Sequence, residues 1–109
     1  MQNYFFGKDI LATKLDSGIV RKVLAHNENL MIVEVHFPKD GTIGALHDHQ
    51  HEQITYVIEG EFEFTIGNEK KIVKKGDSMY KQPNIIHGCV CLKAGILLDV
   101  FTPERKDFL

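Results

Sequence analysis

Three histidines and a glutamine alternate with other residues just before the most regular strand pattern of the sequence. They are His47, His49, His51 and Gln53, and the apolar alternation ITYVIEG follows them directly. Because successive side chains of a β-strand point to opposite faces, these four side chains share one face. Imidazole binds Zn, Fe, Ni, Cu and Mn, and two histidines two residues apart on a strand can reach one ion. The stretch therefore predicts a β-rich fold with a metal site beside a strand.

Turn signals divide the rest of the sequence into short segments with strand periodicity. Residues 18–26 and 30–37 predict two strands around a polar turn, and residues 70–75 predict another. The segments ITYVIEGEFEFTIG and CVCLKAGILLDVF each predict two strands, with turns at Glu59–Gly60 and at residues 93–95. Helical periodicity of useful length is absent, apart from one helical turn expected in the C-terminal tail. Closely spaced short strands predict an all-β sandwich or barrel.

Length and composition restrict the possible partners. The 109 residues form one domain, and 43% hydrophobic and 26% charged residues are usual for a globular protein. A net charge of -2 argues against nucleic acid as a partner, because a basic face is the usual footprint. No apolar run approaches the roughly 18 residues of a membrane helix, and the N-terminus shows no secretory signal. We therefore expect no nucleic-acid or membrane partner and a cytoplasmic location.

The two cysteines, Cys89 and Cys91, share a strand face with His87. They are too close in sequence to connect distant parts of a fold, and cytoplasmic proteins rarely use disulfides. A thiolate metal site is one interpretation of the three residues. The simpler interpretation is that both cysteines are small core residues, which is how free cysteine usually behaves.

Two stretches of the sequence resemble the two conserved motifs of the cupin family. The first motif, G-x5-H-x-H-x3-E-x6-G, spans about residues 41–60 and is matched by Gly41, His47, His49 and Gly60. The second, G-x5-P-x-G-x2-H-x3-N, spans about residues 76–91 and is matched by Gly76 and His87. The resemblance implies a single cupin domain over residues 1–109. That fold is a double-stranded β-helix, or jelly-roll barrel, in which the two motifs face each other and share a metal.

The same resemblance implies the ligands of one divalent ion: His47, His49, Gln53 and His87. Gln53 stands where the family usually has Glu, and an amide oxygen leaves the ion more electropositive than a carboxylate would. A β-bulge would bring the neighbouring Glu52 onto the ligand face instead, so Glu52 stays an alternative. His51 has the parity of a ligand but not the motif position, which favours a pocket or supporting role. Three imidazoles and one neutral oxygen suit Ni, Mn, Fe, Co or Zn.

The C-terminal tail carries a more specific resemblance. The pattern D-V-F-[ST]-P-x-R-x-D-F begins at Asp99, and with the two motifs it resembles small bacterial cupins of the pectin-degradation (KdgF) type. Those proteins act on 4,5-unsaturated uronates and promote opening of the ring to the linear keto form. The resemblance implies Asp99 as the catalytic base, with Phe101 and Arg105 in the substrate site. Lys81 and Gln82 depart from the apolar-Pro pair that is usual there.

Several polar residues also call for explanation without the resemblance. Asp99 interrupts the apolar run ILLDVF, which favours either a general acid or base or a backbone-bonding carboxylate near the sheet end. Arg105 and Arg21 are either surface cations or residues that bind a substrate carboxylate through two parallel hydrogen bonds. Tyr80, with Lys81 and the residue after it, is expected at the mouth of a pocket.

The resemblance therefore implies a metal-dependent, uronate ring-opening enzyme with a small sugar-acid substrate. The alternatives are a non-catalytic sugar- or metal-binding cupin and a cupin dioxygenase. The aromatic segment at residues 2–6 is expected to be an edge or exchanged strand, because its rings need a cover. A homodimer is the expected assembly, with this segment packed on the partner.

Overall fold

The computed structural model describes residues 1–109, and it contains eight strands and no α-helix. Short 3₁₀ turns occur at Gly7–Asp9 and Lys106–Phe108, the second of which confirms the helical turn expected in the tail. The strands are β1 (Thr13–Lys14), β2 (Val20–Asn27), β3 (Leu30–Phe37), β4 (Ile43–His47), β5 (Glu52–Ile66), β6 (Glu69–Lys74), β7 (Ser78–Lys81) and β8 (His87–Thr102).

The two longest strands, β5 and β8, pair with each other along most of their length and connect two sheets. The first half of β5 and the second half of β8 lie between β7 and β3, with β2 and β1 beyond β3. The second half of β5 and the first half of β8 lie between β6 and β4. All of these pairs are antiparallel. This arrangement confirms the predicted all-β jelly-roll class.

The turns predicted inside β5 and β8 are wrong, because both strands continue through those positions. The register shifts between Val57 and Phe62, which marks an irregular corner rather than a hairpin. Gly60 has a φ of +88°, and a Cβ on Gly95 would lie 2.0 Å from the carbonyl oxygen of Glu59. Glycine is therefore required on both strands, because the two backbones bend together at close range.

The core lies between the sheets and is richest beside the second half of β5. Nine buried residues form its main cluster, including Phe62, Phe64, Cys89 and Cys91. Both cysteines are free, which supports the interpretation that they are core residues. Burial raises the pKa of Cys89 to about 12, so its thiol stays protonated and is a poor metal ligand. A smaller cluster of Met31, Val33 and Phe101 lies at the other end.

The N-terminal segment does not form the predicted edge strand within this chain. Residues 1–6 have no regular secondary structure, and the side chains of Tyr4 and Phe6 are 75% and 59% exposed. Phe5 contacts the chain through His26, with 5.5 Å between the ring centroids. An exchange of this segment with a partner stays a prediction. No helix here is long and apolar enough to cross a membrane.

Candidate metal centre and adjoining cavity

The three predicted histidine ligands come together at one end of the sandwich. His47 ends β4 and pairs across the sheet with His87, which begins β8. His49 lies in the loop between β4 and β5. One ring nitrogen of each histidine lies within 4.8 Å of the other two, so the three can hold a single metal ion. This grouping joins the two sequence stretches as the resemblance implied.

Main-chain carbonyl groups orient all three rings in the same way. Each Nδ1 donates a hydrogen bond to a carbonyl oxygen two residues away in sequence, at 2.8 Å for His47, 3.1 Å for His49 and 2.9 Å for His87. A neutral imidazole has only one N–H, so each Nε2 presents a lone pair. The Nε2 atom of His87 is buried and has no hydrogen-bond partner. An orphaned acceptor of this kind fits a metal ligand.

Burial also favours the neutral, metal-binding form of two of the three imidazoles. Desolvation is the largest cause that lowers the pKa of His87, to about 4, and it lowers the pKa of His49 as well. The hydrogen bond from His87 to the carbonyl of Ile85 opposes the shift, and nearby Lys81 adds to it. Burial therefore favours the neutral form of His49 and His87 before any ion binds.

Gln53 lies beside His49 and has the geometry of a fourth ligand. Its Oε1 atom is 3.0 Å from Nε2 of His49, and its Nε2 atom donates to the hydroxyl of Thr55 at 3.3 Å. Because the single N–H of neutral His49 is already used at Nδ1, two acceptor atoms face each other at 3.0 Å. A cation beside them would remove this conflict, and the amide oxygen would then act as a ligand.

The alternative ligand Glu52 lies on the opposite face of β5. Its carboxylate accepts a hydrogen bond from the hydroxyl of Tyr80 on the outer surface. The pairing of Glu52 and Gln53 with β8 is regular, and the irregular part of β5 starts only at Val57. The bulge that would exchange the two side chains is therefore absent. Three imidazole nitrogens and one amide oxygen fit a divalent ion, as the sequence predicts.

His51 supports the C-terminal tail rather than joining the histidine group. Its Nε2 atom donates to the carbonyl oxygen of Glu104 at 3.2 Å, and its ring centroid is 5.4 Å from that of His49. The side chain of Glu104 accepts a hydrogen bond from Nδ1 of His26 at 2.9 Å. These contacts hold the tail against the barrel close to the histidines, which agrees with the supporting role expected for His51.

A cavity of about 440 Å³ adjoins the histidine group between the two sheets. Most of its wall is apolar, but several chemically active side chains reach it. They are Arg21, His47, Gln53, Lys81, His87, Asp99 and Arg105, with Phe101 and Phe108 as aromatic neighbours. The cavity thus combines three of the four candidate ligands with the carboxylate and the guanidinium groups expected in the substrate site. Its size is in the range of small-molecule sites.

Asp99 is held on the cavity wall by the strand opposite. It pairs with Thr55 across β5 and β8, and the Thr55 hydroxyl donates to Oδ1 of Asp99 at 2.5 Å. Lys81 Nζ donates to the same hydroxyl at 2.7 Å. Desolvation lowers the pKa of Lys81, and the Asp99 charge opposes that shift. Asp99 is therefore placed by side chains inside the barrel and not by a backbone hydrogen bond.

The two arginines gather around the ring of Phe108. Their guanidinium carbons lie 3.8 Å (Arg21) and 4.3 Å (Arg105) from its centroid, which is cation–π range. Arg105 also forms a fork with Asp107 through Nε and Nη2, at 3.0 Å and 2.8 Å, and this hydrogen bonding lowers the pKa of Asp107. Arg21 takes part in none of the salt bridges.

Two sequence expectations about the β7 region are wrong. Tyr80 is 53% exposed on the outer surface and is not among the residues that line the cavity. Lys81 is only 2% exposed and lies inside the barrel, not at its mouth. Two residues near the cavity had no role assigned from the sequence, Thr55 and Phe108. The alternation that begins at Gln53 would have placed Thr55 on the inner face, and Phe108 is the last position of the tail pattern.

The chain and its fold match those of known cupins. The cupin domain family matches residues 33–101. The pectin degradation protein KdgF of Dickeya dadantii (strain 3937) is 44% identical over the full length of both chains. KdgF from a Halomonas species is 34% identical with a TM-score of 0.92, again over both whole chains. An RmlC-like cupin from Shewanella frigidimarina NCIMB 400 is 37% identical with a TM-score of 0.94, over all of this chain and 97% of the other.

The chain therefore belongs to the cupin family, and within it to the KdgF-type group that the tail pattern predicted.

Proposed function

We propose that the protein is a metal-dependent cupin that promotes ring opening of 4,5-unsaturated uronate monosaccharides to the linear keto form, in the breakdown of pectin or alginate. One observation carries the proposal. A carboxylate, two members of the three-histidine group and two guanidinium groups line the same cavity, in a chain 44% identical to a pectin degradation protein. A proton carrier, a metal site and carboxylate-binding groups are what this reaction on an acidic sugar requires.

Asp99 has the role of moving the proton. Ring opening removes a proton from the anomeric hydroxyl and delivers one to the carbon framework of the enol ether. Thr55 occupies Oδ1 of Asp99 at 2.5 Å, which leaves Oδ2 for the transfer. A carboxylate in hydrogen-bonding reach of both positions serves as base and then as acid. Most of the cavity wall around it is apolar.

Arg105 and Arg21 have the role of binding the substrate carboxylate. Arg105 uses two of its five N–H donors on Asp107, so its remaining donors are available at the cavity. The side chain of Arg105 is 13% exposed, and Asp107 and Phe108 restrict its rotamers. A preorganised guanidinium fixes one end of the sugar acid and so holds the ring near the attack geometry. Phe101 offers an apolar surface beside Arg105, 5.2 Å from its guanidinium carbon.

The residues that would hold the metal are His47, His49, His87 and Gln53. A divalent ion bound there would supply Lewis acidity and a template for the sugar oxygens. Elemental analysis of purified protein should find one ion per chain, and the triple His→Ala variant should have lost it. A triple variant that still holds one ion would place the site elsewhere. Loss of the ion in His51→Ala alone would contradict the ligand set.

The reaction is tested with monomeric 4,5-unsaturated galacturonate and its alginate-derived relative. The metal-loaded protein should accelerate loss of the unsaturated-uronate absorbance above the spontaneous rate, and chelator-treated protein should not. The spontaneous opening must be measured in parallel and subtracted. A rate equal to this background with both sugars would refute the enzyme assignment and favour the non-catalytic sugar- or metal-binding alternative.

We also propose that the protein forms a homodimer. Exposed apolar side chains support this assembly: Tyr4 and Phe6 in the N-terminal segment, and Ile54, Tyr56 and Tyr80 on the outer sheet face. Their exposure in an isolated chain is unfavourable, because contiguous apolar patches favour association. Light scattering should give twice the chain mass, and deletion of residues 1–6 should shift it toward the monomer or cause aggregation. A stable monomer before and after the deletion would refute the proposal.

A further inference from the structure

The hydroxyl of Thr55 is the meeting point of three polar side chains inside the barrel. Thr55 is fully buried, and its Oγ1 lies 2.7 Å from Lys81 Nζ, 3.3 Å from Gln53 Nε2 and 2.5 Å from Asp99 Oδ1. Gln53 is a candidate metal ligand and Asp99 the proposed proton carrier. One hydroxyl therefore contacts both halves of the proposed chemistry, although it reaches neither the metal position nor the substrate itself.

The directions of these hydrogen bonds follow from the chemistry of the partners. The Lys81 ammonium and the Gln53 NH₂ group can only donate, so together they occupy both lone pairs of the Thr55 hydroxyl. Its single hydrogen is left for Asp99, and Oδ1 of Asp99 must accept it. The Gln53 amide is fixed in the same way, because donation by its nitrogen to Thr55 turns its oxygen toward His49.

Lys81 makes this arrangement rigid. It is 2% exposed, and its Nζ lies between the Thr55 hydroxyl and the face of the Phe64 ring, 4.7 Å from the ring centroid. A buried ammonium group without a hydrogen-bond partner is costly, so Lys81 holds the Thr55 hydroxyl in the acceptor role. With that role fixed, the hydroxyl hydrogen has no other orientation than toward Asp99.

We propose that Thr55, held in orientation by Lys81, is a positioning residue that aims the Asp99 carboxylate for proton transfer and the Gln53 amide oxygen for metal binding. The catalytic half of this proposal rests on the proposed function. The metal-binding half requires only that Gln53 be a ligand. Thr55 acts through the other two side chains, which distinguishes its role from that of a catalytic residue.

The matched variants T55V and T55S test the proposal, because valine has the shape of threonine without the hydroxyl and serine keeps the hydroxyl without the methyl. Metal affinity is measured on the full chain by competition between the protein and a chelator for Zn²⁺ and for Ni²⁺. T55V should bind both ions roughly 10- to 100-fold more weakly, the usual effect of losing a group that orients a ligand. Its kcat should fall by a similar factor while KM for the uronate changes little. T55S should recover most of both.

The contrary outcomes are distinct. Unchanged metal affinity and unchanged kcat in T55V would overturn the proposal. Equal losses in T55S and T55V would show that packing of the methyl group matters and the hydroxyl does not, which also overturns it. Wild-type protein without turnover would refute the proposed function, and the metal affinities would still decide whether Thr55 positions Gln53.

A second pair of variants covers the case that T55V is poorly folded because Lys81 has lost its partner. K81M removes the ammonium group and keeps a long apolar side chain, and T55V/K81M removes both members of the hydrogen bond. If Lys81 acts through Thr55, K81M should lower kcat, and the double variant should be no worse than T55V alone. Additive losses in the double variant would overturn the role of Lys81.

Discussion

The inner faces of the two halves of β5 carry opposite kinds of residues. The first half points Gln53 and Thr55 into the barrel, and the second half points Phe62 and Phe64 into it. Both halves are equally well buried and both pair with β8. The backbone arrangement is therefore the same at the two ends, and only the chemistry of the inward side chains differs.

The comparison shows how the fold separates stability from chemistry. At the apolar end, Phe62 packs edge-on against Phe37 with 5.0 Å between ring centroids. At the polar end, the buried groups form specific hydrogen bonds or present lone pairs, as His87 does with its unpartnered Nε2. Substitutions at the polar end should therefore change activity more than stability, and those at the apolar end should do the reverse.

Asp99→Asn should give the largest change in activity. Asparagine keeps the size of the side chain and still accepts the hydrogen bond from Thr55 through Oδ1, but it cannot take up the proton. We expect turnover to fall roughly 10²- to 10⁴-fold, the usual contribution of general acid–base catalysis. Metal content by elemental analysis should stay at the wild-type level. Unreduced turnover would mean that another residue is the general base, with His51 the next candidate.

Phe62→Ala tests the apolar end. Its expected effect on the free energy of unfolding is similar in size to the effect of Asp99→Asn on the activation free energy. The side chain is fully buried, and its removal leaves a cavity in the main core cluster. Such substitutions lower the free energy of unfolding by about 3–5 kcal/mol, measured by urea denaturation. Phe62→Leu, which keeps most of the volume, should cost less. If Asp99→Asn destabilised the protein as much as Phe62→Ala, the separation of roles between the two ends would be contradicted.

The motif spacing predicted the histidine group, whereas the assumed alternation along one strand is wrong, because His49 and His51 lie in the loop between β4 and β5. His47, His49 and Gln53 follow a local pattern, and the matching motif supplied His87 from the other strand. The strand bends at Gly60 and Gly95 could not be predicted from such local patterns. A glycine between two strand-like segments indicates a hairpin turn, whereas here each glycine lets a single long strand bend beside the other.

The orientation of β7 was missed for a different reason. A strand has two possible faces, and its register with a neighbour decides which residues point inward. Lys81 pairs with Gln53, so both point into the barrel, and Tyr80 pairs with Ile54, so both point outward. The sequence placed both side chains at the mouth of the pocket, because the local pattern of β7 does not show which of the two points inward. Knowledge of one cross-strand pair would have corrected both assignments.

Arg105→Ala separates substrate binding from proton transfer at the polar end. It should weaken binding of the substrate while the proton carrier Asp99 stays in place. A hydrogen-bonded charge pair is worth about 1.5–3 kcal/mol, so KM should rise roughly 10- to 100-fold. The value of kcat should change little, because the contact exists in both the ground and the transition state. Arg105→Lys keeps the charge without the fork, and we expect only partial recovery. A fall in kcat at constant KM would instead indicate a role in the chemical step.

Arg21→Ala should affect KM in the same direction. Its guanidinium group lies at the same aromatic ring as that of Arg105 but forms no salt bridge in the chain. Burial lowers the pKa of Arg21, the nearby charge of Asp107 opposes this shift, and the charge of Arg105 adds to it. A variant lacking both side chains should bind the uronate more weakly than either single variant. No additional loss would show that only one guanidinium contacts the substrate.

Tyr80→Phe should have the smallest effect, and it tests whether the active part of the molecule is confined to the interior. The substitution removes only the hydroxyl, whose hydrogen bond to Glu52 raises the pKa of Tyr80 on the outer surface. We expect wild-type kcat, KM and metal content, because no atom of Tyr80 lines the cavity. Spectrophotometric titration should show the loss of one tyrosine with a raised pKa. The interior variant T55V, which also removes a single hydroxyl from the same part of the sheet, provides the contrast. If Tyr80→Phe raised KM as Arg105→Ala is expected to, the substrate would have to reach the outer face of β7, and the division between an active interior and an inactive exterior would be wrong.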